Sequence, residues 1–176
     1  ITGPTVIKEV LGETVTMEEL GGAKIHSEVS GVTDLVAKSD DECLLAIRKL
    51  LGFLPSNFES MPPRKTTNDD PARSVEALEK IVPEDMKRAY NIVQVIKTLV
   101  DDSEFFELKA KFARNLVIGF GRLDGYPVGF VANQPMFLAG SLDVDAADKA
   151  ARFIRFCDAF NIPMITLMDV PGFFPG

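Results

Sequence analysis

Apolar residues recur every three or four positions in three stretches of the chain, and this spacing is typical of amphipathic helices. The first stretch begins near Ser39 or Asp40, either of which can cap a helix. The second covers residues 90–102, and the third covers residues 143–161, where Asp145 is the expected cap. The apolar stripes are Leu44, Ile47, Leu50 and Leu51, then Ile92, Val95, Ile96 and Leu99, and then Ala150, Phe153, Ile154, Cys157 and Phe160. We therefore predict a helix in each stretch.

Two runs of β-forming residues flank the tetrapeptide LDGY at positions 123–126. Asp-Gly is a strong signal for a hairpin turn, so the segment NLVIGFGRLDGYPVGFVAN predicts two antiparallel strands. A further run, IPMITLMD at 162–169, follows the third helix and is expected to be a buried strand. The order strand, strand, helix, strand indicates an α/β fold in which helices cover a sheet.

Residues 55–83 differ in composition from the rest of the chain. They include PSNFESMPPRKTTNDDPARS, which is polar and rich in Pro, Asn and Asp, as linkers are. We therefore predict two structural units, residues 1–54 and residues 84–176, joined by a linker over 55–83. Ile1 is not an initiator methionine and no signal peptide follows it, so we expect the chain to be part of a longer polypeptide.

The charge and the cysteine content exclude several classes of partner. A formal net charge of −7 argues against sequence-independent nucleic-acid binding, which needs Lys and Arg to neutralise phosphates. The longest apolar stretches are far shorter than the roughly 20 residues of a membrane helix, so we expect no membrane partner. Cys43 and Cys157 are too few for a disulfide framework and lack the spacing of a zinc site. We expect a reducing compartment and no metal.

Few side chains offer conventional catalytic chemistry. His26 is the only histidine, so any catalytic triad would have to include it. Asp143 and Asp145 could bind a metal or act as an acid and base pair, but both lie where a helix is predicted to begin, and capping is the simpler interpretation. Three basic side chains opposite the third apolar stripe form either a solvated face or contacts for an anionic ligand: Lys149, Arg152 and Arg155.

The loop after the second predicted strand has a composition that is typical of a loop lining a ligand site. In VANQPMFLAG, the amides of Asn133 and Gln134 can donate and accept hydrogen bonds, and Pro135 follows them. At Ala139 and Gly140 the backbone can approach a ligand closely. A loop at the end of a strand is a common place for binding residues, so we predict that this loop contacts a ligand.

The segment DVPGFFPG at 169–176 follows the last predicted strand in the same way. Gly172, after Pro171, permits close approach of the backbone to a ligand, and the neighbouring N–H groups could stabilise an oxyanion. A purely structural turn is the alternative interpretation.

Three segments of the chain resemble one known family. GPTVIKEVLGETVTMEELGGAKIH, VANQPMFLAGSLDVDAADKAARFIRFCDAFNIP and DVPGFFPG closely resemble the carboxyltransferase (beta) subunit of biotin-dependent acyl-CoA carboxylases, above all propionyl-CoA carboxylase and methylmalonyl-CoA carboxyltransferase. Only Phe58 to about Lys80 departs freely from the family pattern. The resemblance implies a crotonase-like (ClpP/crotonase) fold of repeated β-β-α units, with the end of one domain in residues 1–54 and the start of the next in residues 84–176.

The resemblance also implies a reaction, in which a carboxyl group moves between carboxybiotin and the α-carbon of an acyl-CoA such as propionyl-CoA. Catalysis in this family uses backbone oxyanion holes. By position in the family pattern, the N–H groups of Gly172 and Phe173 are the expected catalytic donors. The expected contacts to biotin or acyl-CoA are Asn133, Gln134, Pro135, Ala139, Gly140 and Pro171. Biotin would be carried on a partner domain or subunit, and acyl-CoA would be the substrate.

The expected partners are the biotin carboxyl carrier and biotin carboxylase components and further copies of the subunit, in a dimer or hexamer. The expected location is the bacterial cytoplasm or the mitochondrial matrix. In this family, each of the two oxyanion holes includes a pair of glycines, and both pairs lie outside these 176 residues. We therefore expect the chain to be inactive alone. Two alternatives stay open: a biotin-dependent acyl-CoA decarboxylase subunit, and a non-catalytic assembly surface for the biotin-carrying partner.

Overall fold

Four strands form one mixed sheet within residues 3–85 and 88–174, which are the residues that the computed structural model describes. The strands are β1 (Phe106–Leu108), β2 (Leu116–Leu123), β3 (Tyr126–Asn133) and β4 (Met164–Leu167), in that order across the sheet. The β1–β2 and β2–β3 pairs are antiparallel, and β4 runs parallel to β3. The helices are α1 (Pro4–Leu11), α2 (Met17–Gly21), α3 (Ala23–Glu28), α4 (Asp40–Leu51), α5 (Ala77–Ile81), α6 (Ile92–Leu99) and α7 (Val144–Ala159).

The predicted hairpin is confirmed. Leu123 pairs with Tyr126, so the turn consists of Asp124 and Gly125 alone, and both have positive φ, at 49° and 77°. Two left-handed residues are what a tight turn between twisted strands requires. Helix α7 then connects β3 to the parallel strand β4, which gives the predicted order of strand, strand, helix, strand.

Helices cover both faces of the sheet because successive strand residues point to opposite sides. On one face, side chains of β2 and β3 pack against α7 and the residues that follow α4; the buried apolar set includes Leu116, Ile118, Phe120, Val131, Phe153, Cys157 and Phe53. On the other face the sheet packs against α6; this buried set includes Val117, Val128, Phe130, Ala132, Ile92, Val95, Ile96 and Val100. No helix in the described part of the chain is both long enough and apolar enough to cross a membrane.

The predicted helices exist, but one predicted cap is wrong. Ser39 caps α4 as expected, its hydroxyl oxygen accepting a hydrogen bond from the Glu42 N–H at 3.2 Å. At α7 the cap is Asp143 instead of Asp145, because Asp143 Oδ1 accepts from the Ala146 N–H at 2.9 Å. The helix therefore begins at Val144, two residues earlier than the predicted cap would allow.

Lys149 does not lie on a solvated face, which corrects the expectation for this residue. It is 2% exposed, and its Nζ donates to four main-chain carbonyl oxygens. These oxygens belong to Lys109, Phe112, Ala113 and Leu116, at 3.0, 2.7, 3.2 and 2.7 Å. Burial lowers the pKa of Lys149 to about 8. The ammonium group thus fastens α7 to the segment between β1 and β2, whereas Arg152 and Arg155 are exposed.

Two apolar patterns predicted burial that the described residues do not provide. Strand β4 was expected to be buried, but Met164 is 40% exposed, and β3 is its single strand neighbour among the described residues. Most of the apolar stripe of α4 is exposed as well, with Leu44 at 55%, although Leu50 is half-buried and packs against the core. In both cases the pattern predicted the type of element correctly, but it predicted too much burial.

The segment 55–83 lies against the hairpin turn. The Lys65 N–H donates to the Gly125 carbonyl oxygen at 3.0 Å, and Arg64 forms an ion pair with Asp124 at 2.7 Å. Arg73 donates to main-chain carbonyls at the end of α6. The segment also contains the short helix α5. Its polar composition therefore coexists with fixed contacts, and its role as a domain linker stays a prediction.

Replacing Gly125 by Ala should release this segment from the hairpin. A methyl group at Gly125 would overlap the Lys65 carbonyl oxygen, and φ is in the left-handed region. The strain alone costs roughly 1–2 kcal/mol, so we expect limited proteolysis between Pro55 and Pro83 to become about tenfold faster. The control is Gly12→Ala, which has a similar φ of 74° but no atom within 4 Å of the added methyl group. Equal cleavage rates in the two variants would contradict the docking.

Candidate functional site

The carboxyl ends of β3 and β4 lie at the same edge of the sheet because the two strands are parallel. The two loops that the sequence singles out follow these strands and contact each other. The Leu142 N–H donates to the Gly172 carbonyl oxygen at 3.1 Å, and the Phe174 N–H donates to the Leu142 carbonyl oxygen at 2.7 Å. The structure thus brings together the two loops whose composition predicts a ligand site.

The loop after β3 makes a left-handed turn. Leu138, Ala139 and Gly140 have φ values of 49°, 51° and 77°, and such values are uncommon for residues with side chains. A methyl group at Gly140 would lie 2.6 Å from the Asp169 carbonyl oxygen, so the backbones of the two loops touch here. Uncommon backbone conformations often occur at functional sites, and the turn leaves Ala139 exposed at the edge of the sheet.

The loop after β4 presents unpaired backbone donors. Within the described part of the chain, neither the Gly172 N–H nor the Phe173 N–H donates to an acceptor. Gly172 has a φ of 151°, and the space where its side chain would lie is open to 4 Å. Pro171 is exposed, and Phe173 is 77% exposed. The two N–H groups are therefore free to meet an anionic oxygen, which is the chemistry of an oxyanion hole.

The predicted ligand amides are buried and form internal hydrogen bonds. Asn133 Nδ2 donates to the Gly140 carbonyl oxygen at 2.8 Å. Gln134 Nε2 donates to Asn91 Oδ1 at 2.8 Å, and Gln134 Oε1 accepts from the Ile92 N–H at 3.3 Å. These contacts hold the loop after β3 against the start of α6. A direct contact between either amide and a ligand stays a prediction.

Asn115 also holds this loop, and no local sequence pattern indicated this role. Its buried side-chain Nδ2 donates to the Ser141 carbonyl oxygen at 2.7 Å and to Asp143 Oδ1 at 3.2 Å. Its own carbonyl oxygen accepts from the Gln134 N–H at 2.9 Å. Asn115 thus ties both ends of the loop between β3 and α7 to the start of β2.

Tyr90 is a second residue of the site that was not predicted from the sequence. Its hydroxyl donates to Asp169 Oδ2 at 2.8 Å, across 79 residues of sequence. Burial and the Asp169 carboxylate raise the pKa of Tyr90 to about 12, so the phenol stays protonated at neutral pH. Tyr90 and Asp169 line a cavity of about 270 Å³ together with Pro135 and Ala139. The only local signal was the position of Tyr90 at the start of the predicted helical stretch 90–102.

The other candidates from the sequence lie outside these loops. His26 lies in α3, where its Nδ1 is 3.0 Å from the Ser30 hydroxyl oxygen, and no described carboxylate completes a triad. Asp143 caps α7, and Asp145 is exposed in the first turn. Across residues 3–85 and 88–174, no group of His, Cys, Asp and Glu side chains is arranged to hold a metal ion. Among the described residues, the unpaired N–H groups of Gly172 and Phe173 are thus the clearest candidates for a chemical role.

Comparison with known proteins assigns the chain to a family. Residues 1–176 match the profile of the Carboxyl transferase domain. The chain belongs to this family. Two curated relatives are each 51% identical to this carboxyl transferase domain over 176 residues: the methylmalonyl-CoA decarboxylase subunit alpha of Veillonella parvula and the propionyl-CoA carboxylase, carboxyltransferase subunit, of Haloferax mediterranei. All of the chain is covered in both comparisons, but it covers only 35% and 34% of the relatives, about a third of their length.

A solved structure supports the same assignment. Transcarboxylase 12S is 49% identical to this carboxyl transferase domain and aligns with a TM-score of 0.96, over 100% of this chain and 35% of that one. That structure describes hexamer assembly and substrate binding, with hydrolysed methylmalonyl-coenzyme A bound. The resemblance to the carboxyltransferase subunits of propionyl-CoA carboxylase and methylmalonyl-CoA transcarboxylase is therefore confirmed, and so is the mixed α/β fold.

Proposed function

We propose that the chain forms part of a carboxyltransferase subunit that moves a carboxyl group between carboxybiotin and the α-carbon of an acyl-CoA, with propionyl-CoA and methylmalonyl-CoA as the pair. Two relatives support the choice of substrate: the Haloferax propionyl-CoA carboxylase subunit and transcarboxylase 12S. The observation that carries the proposal is the pair of free N–H groups at Gly172 and Phe173. They lie where two parallel strands end and where the neighbouring space is open.

Carboxyl transfer creates negative charge on oxygen atoms and needs fixed donors more than it needs a nucleophilic side chain. Biotin, carried on a partner domain or subunit, would supply the carboxyl group and a ureido oxygen that becomes more negative as this group leaves. The Gly172 and Phe173 N–H groups would stabilise that oxygen. Pro135, Ala139 and Pro171 would form the wall beside it, while Asn133, Gln134 and Gly140 hold the wall in place. Backbone donors need no proton transfer of their own, which suits a chain with a single histidine.

The proposal includes the domain organisation. Residues 1–54 would close one domain of repeated β-β-α units in a crotonase-like fold, 55–83 would be the linker, and 84–176 would open the second domain. The hairpin β2–β3 followed by α7 fits one such unit. The proposed partners are the biotin carboxyl carrier and biotin carboxylase components and further copies of the subunit. Because the chain spans about a third of its relatives, we propose that it does not catalyse the reaction alone.

A decarboxylase subunit is the second candidate. The observation that favours it is the 51% identity to the methylmalonyl-CoA decarboxylase subunit alpha of Veillonella parvula, which equals the identity to the Haloferax carboxylase subunit. The same backbone donors would serve the reaction in the opposite direction, because an oxyanion hole stabilises the same charge in both.

The test is a carboxylation assay of the complete subunit with its biotin carrier in the carboxylated form as the carboxyl donor, using acetyl-, propionyl- and butyryl-CoA in turn. We expect the highest kcat/KM with propionyl-CoA and no measurable product from the 176-residue chain alone. Net, biotin-dependent release of carbon dioxide from methylmalonyl-CoA, without carboxylation of any acyl-CoA, would instead identify the decarboxylase. Transfer of the carboxyl group from methylmalonyl-CoA to free biotin by the isolated chain, giving propionyl-CoA and carboxybiotin, would disprove its proposed inactivity.

A further inference from the structure

One short segment before and at the start of α6 holds both loops of the candidate site. Tyr90 donates to Asp169 Oδ2 at 2.8 Å, in the loop after β4. The next two residues contact the loop after β3, because Asn91 Oδ1 and the Ile92 N–H both bond to the amide of Gln134. Tyr90 therefore holds the loop after β4, as Asn91 and Ile92 hold the loop after β3.

The position of Asp169 controls the direction of the backbone that follows it. Asp169 is only three residues before Gly172, and Pro171 between them has a fixed φ and restricts the residue before it. On the far side, the loop is held by the hydrogen bonds of Leu142 with Gly172 and Phe174. The Gly172 N–H thus lies between two attachments, and Tyr90 forms the side-chain part of the first. The Phe173 N–H belongs to the same peptide unit as the Gly172 carbonyl, which is part of the second attachment.

We propose that Tyr90 is a positioning residue for carboxyl transfer, which fixes through Asp169 the direction of the free Gly172 N–H in the loop after β4. This inference rests on the function proposed above. Tyr90 acts on the loop and does not itself need to touch the substrate. Its phenol keeps the proton that it donates to Asp169 throughout the neutral pH range, because its pKa is about 12. Since catalysis is sensitive to small misplacements of donors, the effect should fall on turnover.

The first test is Tyr90→Phe in the complete subunit, with free biotin as the carboxyl acceptor and methylmalonyl-CoA as the donor. Phenylalanine keeps the ring and removes only the hydroxyl. We expect kcat to fall about tenfold, as for a lost hydrogen bond to a charged group, while KM for the acyl-CoA and Tm change little. The matched control is Tyr126→Phe, at the hairpin turn, where the ring is 51% exposed and contacts Arg64. This control should leave kcat, KM and Tm unchanged.

The second test asks whether Tyr90 acts through Asp169. Asp169→Asn keeps an acceptor for the phenol and should retain more turnover than Asp169→Ala. The double variant Tyr90→Phe with Asp169→Ala should be no slower than Asp169→Ala alone, because both changes remove the same contact. Hydrogen exchange of the amides in 168–174 should become faster in Tyr90→Phe, with no change in the amides of β2.

Three outcomes would overturn the inference. The first is a normal kcat in Tyr90→Phe, and the second is that the effects of the Tyr90 and Asp169 substitutions on kcat are independent. The third is that Tm falls together with kcat in both Tyr90→Phe and Asp169→Asn. The result for Gly172→Val separates this failure from failure of the proposed function. If Gly172→Val is slow and Tyr90→Phe is normal, only the positioning role is wrong. If Gly172→Val is also normal, the proposed use of the N–H groups is wrong.

Discussion

Replacing Gly172 by Val in the complete subunit should lower the turnover of carboxyl transfer by about 10²–10³-fold, or roughly 3–4 kcal/mol, which is the typical loss of one oxyanion-hole donor. The φ of 151° at Gly172 is disfavoured for a branched side chain, so the peptide units on either side should rotate. The added methyl groups would also fill the open space beside the free N–H groups. KM for the acyl-CoA should change much less, because the proposed role of these N–H groups is to stabilise the ureido oxygen of biotin.

Two further variants make this prediction decisive. Gly172→Ala introduces less bulk and should show an intermediate loss of turnover even if the valine variant folds poorly. Met168→Val, in the same loop and 79% exposed, changes a side chain without altering a left-handed residue and should keep normal turnover. Normal turnover in both Gly172 variants would reduce the loop to a structural turn.

Replacing Lys149 by Ala should lower the free energy of unfolding by about 2–5 kcal/mol, the typical range for truncating a large buried side chain to alanine. Four carbonyl oxygens would lose the ammonium group as a donor, and a cavity would remain. Two of these oxygens keep a second donor at 3.1 Å, the Phe112 N–H for Lys109 and the Leu116 N–H for Ala113. The measurement is the midpoint of thermal unfolding of the complete subunit, compared with the unsubstituted protein.

Arg152, one turn further along α7 and exposed, provides the control. Arg152→Ala should change the stability by no more than about 0.5 kcal/mol, as surface substitutions usually do. Lys149→Met restores most of the volume without a donor and should lie between the two. If Lys149→Ala were as stable as Arg152→Ala, the four hydrogen bonds would contribute little to the fold.

The sequence predicted those features that depend on neighbouring residues. Asp124 and Gly125 carry the signal for their turn in their own identities, and Ser39 caps the helix that begins at the next residue. Lys149 could not be predicted in the same way. Its spacing put it opposite an apolar stripe, but the carbonyl groups that receive its hydrogen bonds lie 33 to 40 residues away.

The same distinction between local and distant contacts applies to the candidate site. The composition and the family resemblance indicated the two loops around Gly140 and Gly172, because glycine and proline are read directly from the sequence. The contact between the loops, and the hydrogen bond from Tyr90 to Asp169, depend on how the strands pair and on residues 79 positions apart. No local pattern encodes such a contact, so only the structure places Tyr90 beside the site.

The hydrogen bonds of Asn115 have a consequence for the entropy of ligand binding. Fixing one residue of backbone costs about 1–2 kcal/mol, so a ligand that orders its own site loses much of its affinity. Asn115 already holds Gln134, Ser141 and Asp143 in place before any ligand arrives. A ligand between the two loops therefore meets a wall that has already lost much of its conformational freedom, so the entropy cost of ordering this wall is not charged against ligand binding.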